Sequence, residues 1–151
     1  MKLMDFLIPD AIESNLKSTN KTDAIKELVV LLKNTGTIAD YELVASVVLE
    51  REELGSTGIG EGIAVPHGKS EAVDKVVAAF GRSEKGIDFQ SEVDKTPVRL
   101  VFLLVAPIGS SGPHLLALAR ISRLLKSKDF RERLLKAKSK SEILEIFKSE
   151  E

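Results

Sequence analysis

The chain has 151 residues and a net charge of −1, with 43% hydrophobic and 30% charged residues. This size can bury a core without disulfides, and the near-neutral charge lacks the basic field that attracts nucleic acid. Because there is no cysteine, thiolate chemistry and zinc sites built on sulfur are excluded. The longest apolar run, 100–106, is too short to span a bilayer. No signal peptide opens the chain, so we expect a cytoplasmic protein without direct membrane insertion.

The first part of the chain predicts two helices. The residues before them, 6–12, have a pattern that assigns no secondary structure. Apolar residues recur at helical spacing over 21–34, and Asn20 can cap the start of that helix. Asp40 can cap a second helix that ends near Arg51. We expect its buried face to consist of Leu43, Val44, Val47 and Val48.

The middle of the chain changes character. Residues 55–68 hold five of the ten glycines, which predicts a loop with at most a short strand at 63–65. Residues 76–80 predict a strand, and 84–90 predict a turn that enters a second short extended piece. The near-continuous apolar run 98–106 predicts a strand covered on both faces.

The last third predicts three helices. Pro113 suits the first position of a helix that runs to about Ser127. Its predicted buried side comprises Leu115, Leu118, Ala119, Ser122 and Leu125. Asp129 and Ser139, each followed three residues later by glutamate, predict caps for two further helices. Strands alternating with helices predict one α/β domain over 1–151, with a sheet between helix layers.

The glycine-rich segment does not match a nucleotide-binding motif. Before Gly68-Lys69-Ser70, a phosphate-binding loop of the Walker type needs glycine at position 63, which is Ile63. A dinucleotide fingerprint that starts with Gly58 and Gly60 needs its third glycine at the same position. Both motifs therefore fail on spacing.

Two histidines are the remaining candidates for chemistry. His67 lies between Pro66, which fixes the backbone, and Gly68, which removes side-chain bulk, so an imidazole is presented to a partner. The alternative is a turn with an incidental histidine. His114 lies near a predicted helix start, where the dipole favours anions over imidazolium; alternatively it is simply a polar residue at a helix end. Two histidines without metal-ligand spacing predict no metal site.

The run from Gly58 to Gly68, GIGEGIAVPHG, resembles the active-site signature of the type-2 enzyme IIA (EIIA) domains of the bacterial phosphoenolpyruvate-dependent sugar phosphotransferase system (PTS), in its fructose and mannitol branch. Arg51 upstream, the strand 98–106 and the sequence 114–116 downstream extend the resemblance over essentially the whole chain.

This resemblance implies a phosphotransferase with a mixed β-sheet flanked by helices on both sides. His67 would accept a phosphoryl group from the phosphohistidine of the carrier HPr, with Nε2 as the expected nitrogen. It would pass the group to a cysteine or histidine of an EIIB domain, which phosphorylates the sugar. His114 and Arg51 would match a second histidine and an arginine beside it. The family needs no metal or other cofactor.

Chemistry agrees with these assignments. Neutral imidazole is a nucleophile near pH 7, because its unperturbed pKa is about 6.5. Phosphoryl transfer requires positioning and charge stabilisation, which Arg51 can supply through its planar guanidinium. Transfer between two proteins also needs a surface on which partners dock. The predicted rim of that surface comprises Gly58, Ile59, Gly60 and Ile63.

Three functions stay open at this level. The first is sugar uptake in the fructose and mannitol class, which the glycine and serine loop within 106–113 favours. The second is a nitrogen-regulatory protein that signals through its phosphorylation state. The third is a fold relative without phosphorylation, against which Pro66-His67-Gly68 argues. With no cysteine and no spanning segment, we expect a stand-alone EIIA without a fused cysteine-type EIIB domain or permease.

Overall fold

A computed structural model describes residues 1–150. After a 3-10 turn at Leu3–Asp5, six strands and five helices follow in the order β1 (Leu7–Glu13), α1 (Lys21–Asn34), α2 (Tyr41–Glu53), β2 (Gly58–Gly60), β3 (Ile63–Ala64), β4 (His67–Lys69), β5 (Val77–Ile87), β6 (Val98–Ala106), α3 (Ser111–Leu125), α4 (Lys128–Lys136) and α5 (Lys140–Ser149).

The strands form one mixed sheet in the order β1-β5-β6-β3-β2, with β4 also paired to β6. β5 and β6 are antiparallel, whereas β1 lies parallel to β5 and both β3 and β4 lie parallel to β6. Since β3 pairs with Leu100 and Val101 and β4 pairs with 104–106, the two short strands follow one another along the same edge of β6.

Strand β6 divides the core into two layers because successive side chains point to opposite faces of a sheet. Leu100, Phe102 and Leu104 join the core beneath α3, α4 and α5. Val101, Leu103 and Val105 join the core beneath α1 and α2. The predicted fold class, an α/β domain with a mixed sheet and helices on both faces, is thereby confirmed.

The helix starts on the α1 and α2 side follow the predicted caps. The Asn20 side chain accepts a hydrogen bond from the Asp23 amide at 2.9 Å, and Asp40 accepts one from the Leu43 amide at 3.1 Å. The predicted buried face of α2 is only partly correct. Val44 and Val48 are buried, but Leu43 is exposed and Val47 is half-buried, because this face covers a narrow strip of the sheet.

Three strand predictions need correction. The undecided segment 6–12 forms most of β1. The predicted short strand 63–65 corresponds to β3, but the rest of the predicted loop 55–68 also contains β2 and the start of β4. These strands form because β3 and β4 pair with the edge of β6, and β2 pairs with β3. Instead of turning at 84–90, the chain continues β5 to Ile87. The hydrogen bonds between β5 and β6 outweigh the local preference of residues 84–87 for a turn.

The predicted buried face of α3 is only partly correct: Leu125 is buried and Leu118 is half-buried, but Leu115 and Ala119 are exposed. The residues that it buries are His114, Ala117, Ile121, Leu124 and Leu125. Leu115 and Leu116 are 64% and 57% exposed. Two apolar stripes at helical spacing compete in this sequence, and the direction in which α3 leaves β6 selects the one that contains a histidine. The helix also starts at Ser111, two positions before Pro113.

The last two helices begin at serines. Ser127, rather than the predicted Asp129, caps α4 by accepting a hydrogen bond from the Phe130 amide at 3.2 Å. The prediction for Ser139 is confirmed, since its side chain accepts a hydrogen bond from the Glu142 amide at 3.1 Å. Both caps satisfy amides that have no partner inside the helix.

Candidate functional site

Three elements meet around His67. The residue begins β4, where it pairs with Leu104 of β6. Gly68 lets this strand approach α2, because a Cβ atom there would lie 2.9 Å from Val47 Cγ1. With Gly68 facing α2, the alternation of a strand points His67 toward the opposite face, where α3 begins. Pairing at the edge of β6 therefore sets both the place and the direction of this imidazole.

The His67 ring is held by a backbone carbonyl. Its Nδ1 atom lies 2.8 Å from the carbonyl oxygen of Val65. A carbonyl oxygen only accepts hydrogen bonds, so Nδ1 carries the proton and donates it. In the neutral ring, the lone pair is then on Nε2. The backbone of the strand that carries His67 thus selects Nε2 as the nucleophilic nitrogen.

His114 lies beside this ring. The two imidazole centroids are 5.5 Å apart, with an angle of 50° between the ring planes. His114 is only 7% exposed, and its Nε2 has no hydrogen-bond partner within residues 1–150. A buried polar atom without a partner is unfavourable. The site therefore has an unused hydrogen-bonding position next to the nucleophile.

The surroundings keep both rings neutral. Burial lowers the pKa of His67 below its ordinary value of 6.5, and the positive charge of Arg51 lowers it further. The Val65 carbonyl and the carboxylate of Glu52 raise this pKa, without cancelling the effect of burial. Burial, His67 and Lys69 lower the pKa of His114. At neutral pH the Nε2 lone pair is consequently available.

Arg51 and Glu52 lie in the last turn of α2, near the glycine-rich segment. Arg51 Nη1 donates a hydrogen bond to the Gly55 carbonyl at 2.9 Å. The Glu52 carboxylate is buried, where it accepts hydrogen bonds from the amide and the hydroxyl of Thr57. Lys21 Nζ lies 3.6 Å from the same carboxylate. These contacts fix the chain between α2 and β2, and with it the position of Arg51.

The predicted rim residues differ in exposure. Ile59 is 42% exposed, whereas Ile63 is only 2% exposed and offers a partner little surface. Gly58 and Gly60 are buried beneath the loop that follows β5. A Cβ atom on Gly60 would lie 2.9 Å from Val93, and its φ of +86° also disfavours other residues. These glycines shape the segment instead of forming a docking surface themselves.

Sequence reasoning missed several residues of this site. Lys69 extends from β4 on the same face as His67, and its Nζ donates a hydrogen bond to Ser111 Oγ at 3.0 Å. Its position two residues after His67 would have indicated this, had 67–69 been predicted as a strand. No pattern in the sequence signals the buried carboxylate of Glu52 or the hydrogen bond to the Val65 carbonyl.

The described chain offers no alternative centre built on metal ligands. Within residues 1–150, no three His, Cys, Asp or Glu side chains form a group that could hold a metal ion. Nor does any helix in that range combine the length and the apolar character needed to cross a bilayer.

Comparison with known families decides where this chain belongs. Residues 5–150 match the family described as phosphoenolpyruvate-dependent sugar phosphotransferase system, EIIA 2. The chain belongs to this family. Type-2 EIIA proteins are phosphocarrier components of the PTS, so the family establishes a role in phosphoryl transfer.

Relatives come from both branches of the family. A fructose-specific EIIABC component of Bacillus subtilis is 40% identical over 97% of this chain, which spans only 23% of that protein. A nitrogen regulatory protein of Bradyrhizobium diazoefficiens is 42% identical over 89% of this chain and 86% of its own length.

A solved complex supplies a structural counterpart. It contains enzyme IIA for mannitol and phosphorylated enzyme IIB for mannitol from Escherichia coli. The match has a TM-score of 0.77 and 29% identity, and covers 93% of this chain and 95% of the other. A type-2 EIIA fold of this kind thus forms a complex with an EIIB domain.

Proposed function

We propose that this protein is a histidine phosphocarrier that accepts a phosphoryl group on Nε2 of His67. The observation that carries this proposal is the 2.8 Å contact between Nδ1 and the Val65 carbonyl, which leaves the lone pair on Nε2. The lowered pKa of His67 favours the neutral, nucleophilic ring.

The transfer step needs no general base. The Nε2 lone pair forms a new N–P bond while the P–N bond of the donor phosphohistidine breaks, and the released electron pair returns to the donor ring. The proton on Nδ1 of His67 stays in place, so the phosphorylated ring is an imidazolium. The Val65 carbonyl stabilises that charge by accepting the Nδ1 hydrogen bond. In the second transfer, a nucleophile of the acceptor forms the new bond to phosphorus while the Nε2–P bond breaks, and the released electron pair returns to the His67 ring.

Arg51 and His114 supply the surrounding charge and hydrogen bonds in this proposal. The guanidinium of Arg51 already acts electrostatically on His67, and a planar fork of donors matches phosphoryl oxygens. His114 presents an unpartnered ring nitrogen beside the acceptor ring. Transfer in line between two proteins needs such groups in position before the partner docks.

In this proposal, exposed apolar side chains just after α2 and near the start of α3 form the docking surface. Leu54 follows α2 and is 85% exposed, and Leu115 and Leu116 directly follow His114. Large apolar side chains exposed together are typical of protein interaction sites. The donor in our proposal is phospho-HPr and the acceptor is the EIIB domain of a sugar permease, in the cytoplasm. The complex formed by the mannitol relative supports an EIIB acceptor.

The 40% identity to a fructose-specific component supports sugar uptake of the fructose and mannitol class. The 42% identity to a nitrogen regulatory protein favours a second candidate, in which the phosphorylation state of His67 controls binding to a regulatory target. Both candidates use the same histidine, and they differ in the fate of its phosphoryl group.

A phosphorylation assay tests the proposal. The protein is mixed with phosphoenolpyruvate, enzyme I and HPr, and an acid-labile phosphoryl adduct is measured by mass spectrometry. We expect one adduct on the wild type and none on His67→Ala, while a matched His114→Ala variant still forms it. Equal labelling of His67→Ala and wild type would refute the site.

A second assay distinguishes the two candidates. Phosphorylated protein is incubated with EIIB domains of the fructose and mannitol classes, and loss of the adduct is followed with time. Rapid transfer to an EIIB domain supports sugar uptake. An adduct that persists with every EIIB domain favours the regulatory candidate.

A further inference from the structure

Lys69 connects the strand of His67 to the first turn of α3. His67 and Lys69 lie two residues apart on β4, so their side chains share one face of the strand. Their Cα atoms are separated by roughly 6.6 Å at the ordinary rise of a strand. Lys69 Nζ donates a hydrogen bond to Ser111 Oγ at 3.0 Å. This contact is a strap between β4 and α3.

Besides its backbone hydrogen bond from the His114 amide to the Ser110 carbonyl, the first turn of α3 has few hydrogen bonds from side chains. The residue before it, Ser110, makes no side-chain cap, because its hydroxyl donates to the Pro107 carbonyl instead. Pro113 has no amide hydrogen to contribute. Within residues 1–150, the bond from Lys69 is the side-chain hydrogen bond that joins this turn to β4.

The same turn positions His114. Ser111 and His114 are three residues apart on α3, which places them on neighbouring positions of one helix face. The Nε2 atom of His114 has no partner within the described chain, so no hydrogen bond from that atom holds the ring beside His67. The strap at Ser111 is therefore a restraint on the place of His114.

We propose that Lys69 senses the phosphorylation of His67: its ammonium holds Ser111 in the free protein and moves to the phosphoryl group once His67 carries one, which releases the first turn of α3. This inference rests on the proposed phosphorylation of His67. Lys69 is then a positioning residue in the free protein and a ligand of the phosphoryl group in the phosphorylated one.

The exchange follows from the relative strength of the two contacts. Both contacts use the charged ammonium as donor, but the Ser111 hydroxyl is a neutral acceptor whereas a phosphoryl group is an anion. The contact with the phosphoryl group therefore adds attraction between opposite charges to the hydrogen bond. The flexible four-carbon stem of lysine lets its ammonium reorient between acceptors on one face of the strand. Lys69 already acts electrostatically on His114, the neighbour of His67.

Release of this turn changes the surface that a partner meets. Leu115 and Leu116, both exposed, directly follow His114 on α3. In the free protein the strap orders the turn that presents them, and in the phosphorylated protein that turn is looser. A donor that binds the free form and an acceptor that binds the phosphorylated form thus meet differently ordered surfaces.

The pKa of the phosphoryl group tests whether the Lys69 ammonium moves to it. Phosphorylated wild type, Lys69→Gln and Lys69→Arg are titrated by ³¹P NMR, with Lys85→Gln as a control because Lys85 is an exposed lysine of β5. We expect Lys69→Gln to raise the pKa of the phosphoryl group by about one unit, because a nearby cation favours its dianion. Lys69→Arg and the control should titrate like the wild type.

Amide hydrogen exchange tests whether phosphorylation releases the first turn of α3. In the wild type, we expect the His114 and Leu115 amides to exchange about tenfold faster after phosphorylation, the effect of losing one hydrogen bond. In Lys69→Gln they should exchange fast in both forms. An unchanged phosphoryl titration in Lys69→Gln, or equal exchange in the two forms of the wild type, overturns the inference. Absence of the adduct from His67 in the wild type refutes the proposed function instead.

Discussion

Two regions on the same side of the sheet have opposite properties. Beneath α4 and α5, the rings of Phe80, Phe102 and Phe147 pack with centroids 4.9 to 5.6 Å apart, and Phe130 adds a fourth ring. All four are at most 1% exposed. Beside α3, the two histidines leave a ring nitrogen without a partner. The first region is a closed apolar core, and the second contains a buried nitrogen without a hydrogen-bond partner within residues 1–150.

The two regions lie next to each other because both contact strand β6. Phe102 belongs to the phenylalanine cluster, and Leu104, two residues further on, pairs with His67. The closed apolar cluster next to the site gives it a rigid support, so the Nε2 atom of His114 can lack a hydrogen-bond partner within residues 1–150 without loss of the fold. We expect substitutions in the two regions to separate stability from phosphoryl transfer.

The largest effect is expected in the cluster. Phe102→Ala removes a buried ring and should lower the free energy of unfolding by about 3–5 kcal/mol, measured by urea denaturation. Phe102→Leu, the matched control, should lose less because it leaves a smaller cavity. The folded fraction of either variant should still accept the phosphoryl group on His67. A loss below about 1 kcal/mol for Phe102→Ala would show that the cluster is not the main source of stability.

The reverse behaviour is expected at the site. His114→Ala should slow phosphoryl transfer by about 10²-fold, the cost typical of losing one preorganised donor, in a stopped assay of adduct formation. Its urea midpoint should fall less than that of Phe102→Ala: loss of the buried ring leaves a cavity, but it also removes an Nε2 atom that has no hydrogen-bond partner within residues 1–150. Unchanged transfer would remove His114 from the site, and a large loss of stability would contradict the division between the two regions.

The smallest expected effect is the dependence of stability on pH. Both histidines have a pKa lowered from 6.5, so the unfolded chain binds more protons than the folded one as pH falls through that value. Stability should therefore decrease below about pH 6.5 until the folded histidines also become protonated. The quantity to measure in each protein is the change in unfolding free energy between about pH 7.5 and about pH 5.5. A His67→Gln, His114→Gln double variant should lose less than the wild type; an equal loss would contradict the neutral pair.

Local patterns in the sequence predicted the features that depend on near neighbours. Asn20, Asp40 and Ser139 cap helices as expected because a capping side chain reaches only two or three residues along the chain. The strand 98–106 was also predictable, since burial on both faces requires a continuous apolar run. The GIGEGIAVPHG run, together with Arg51 upstream and the segment 114–116 downstream, indicated His67, His114 and Arg51 through a family resemblance, and their roles stay predictions.

Tertiary structure alone decided how those residues meet. His67 and His114 become neighbours because β4 pairs with the edge of β6 and α3 starts just after β6 ends. The choice of Nε2 depends on a backbone carbonyl, which every residue has and no sequence pattern marks. The buried face of α3 was decided in the same way, because competing apolar stripes are resolved only by the elements that the rest of the fold places against them.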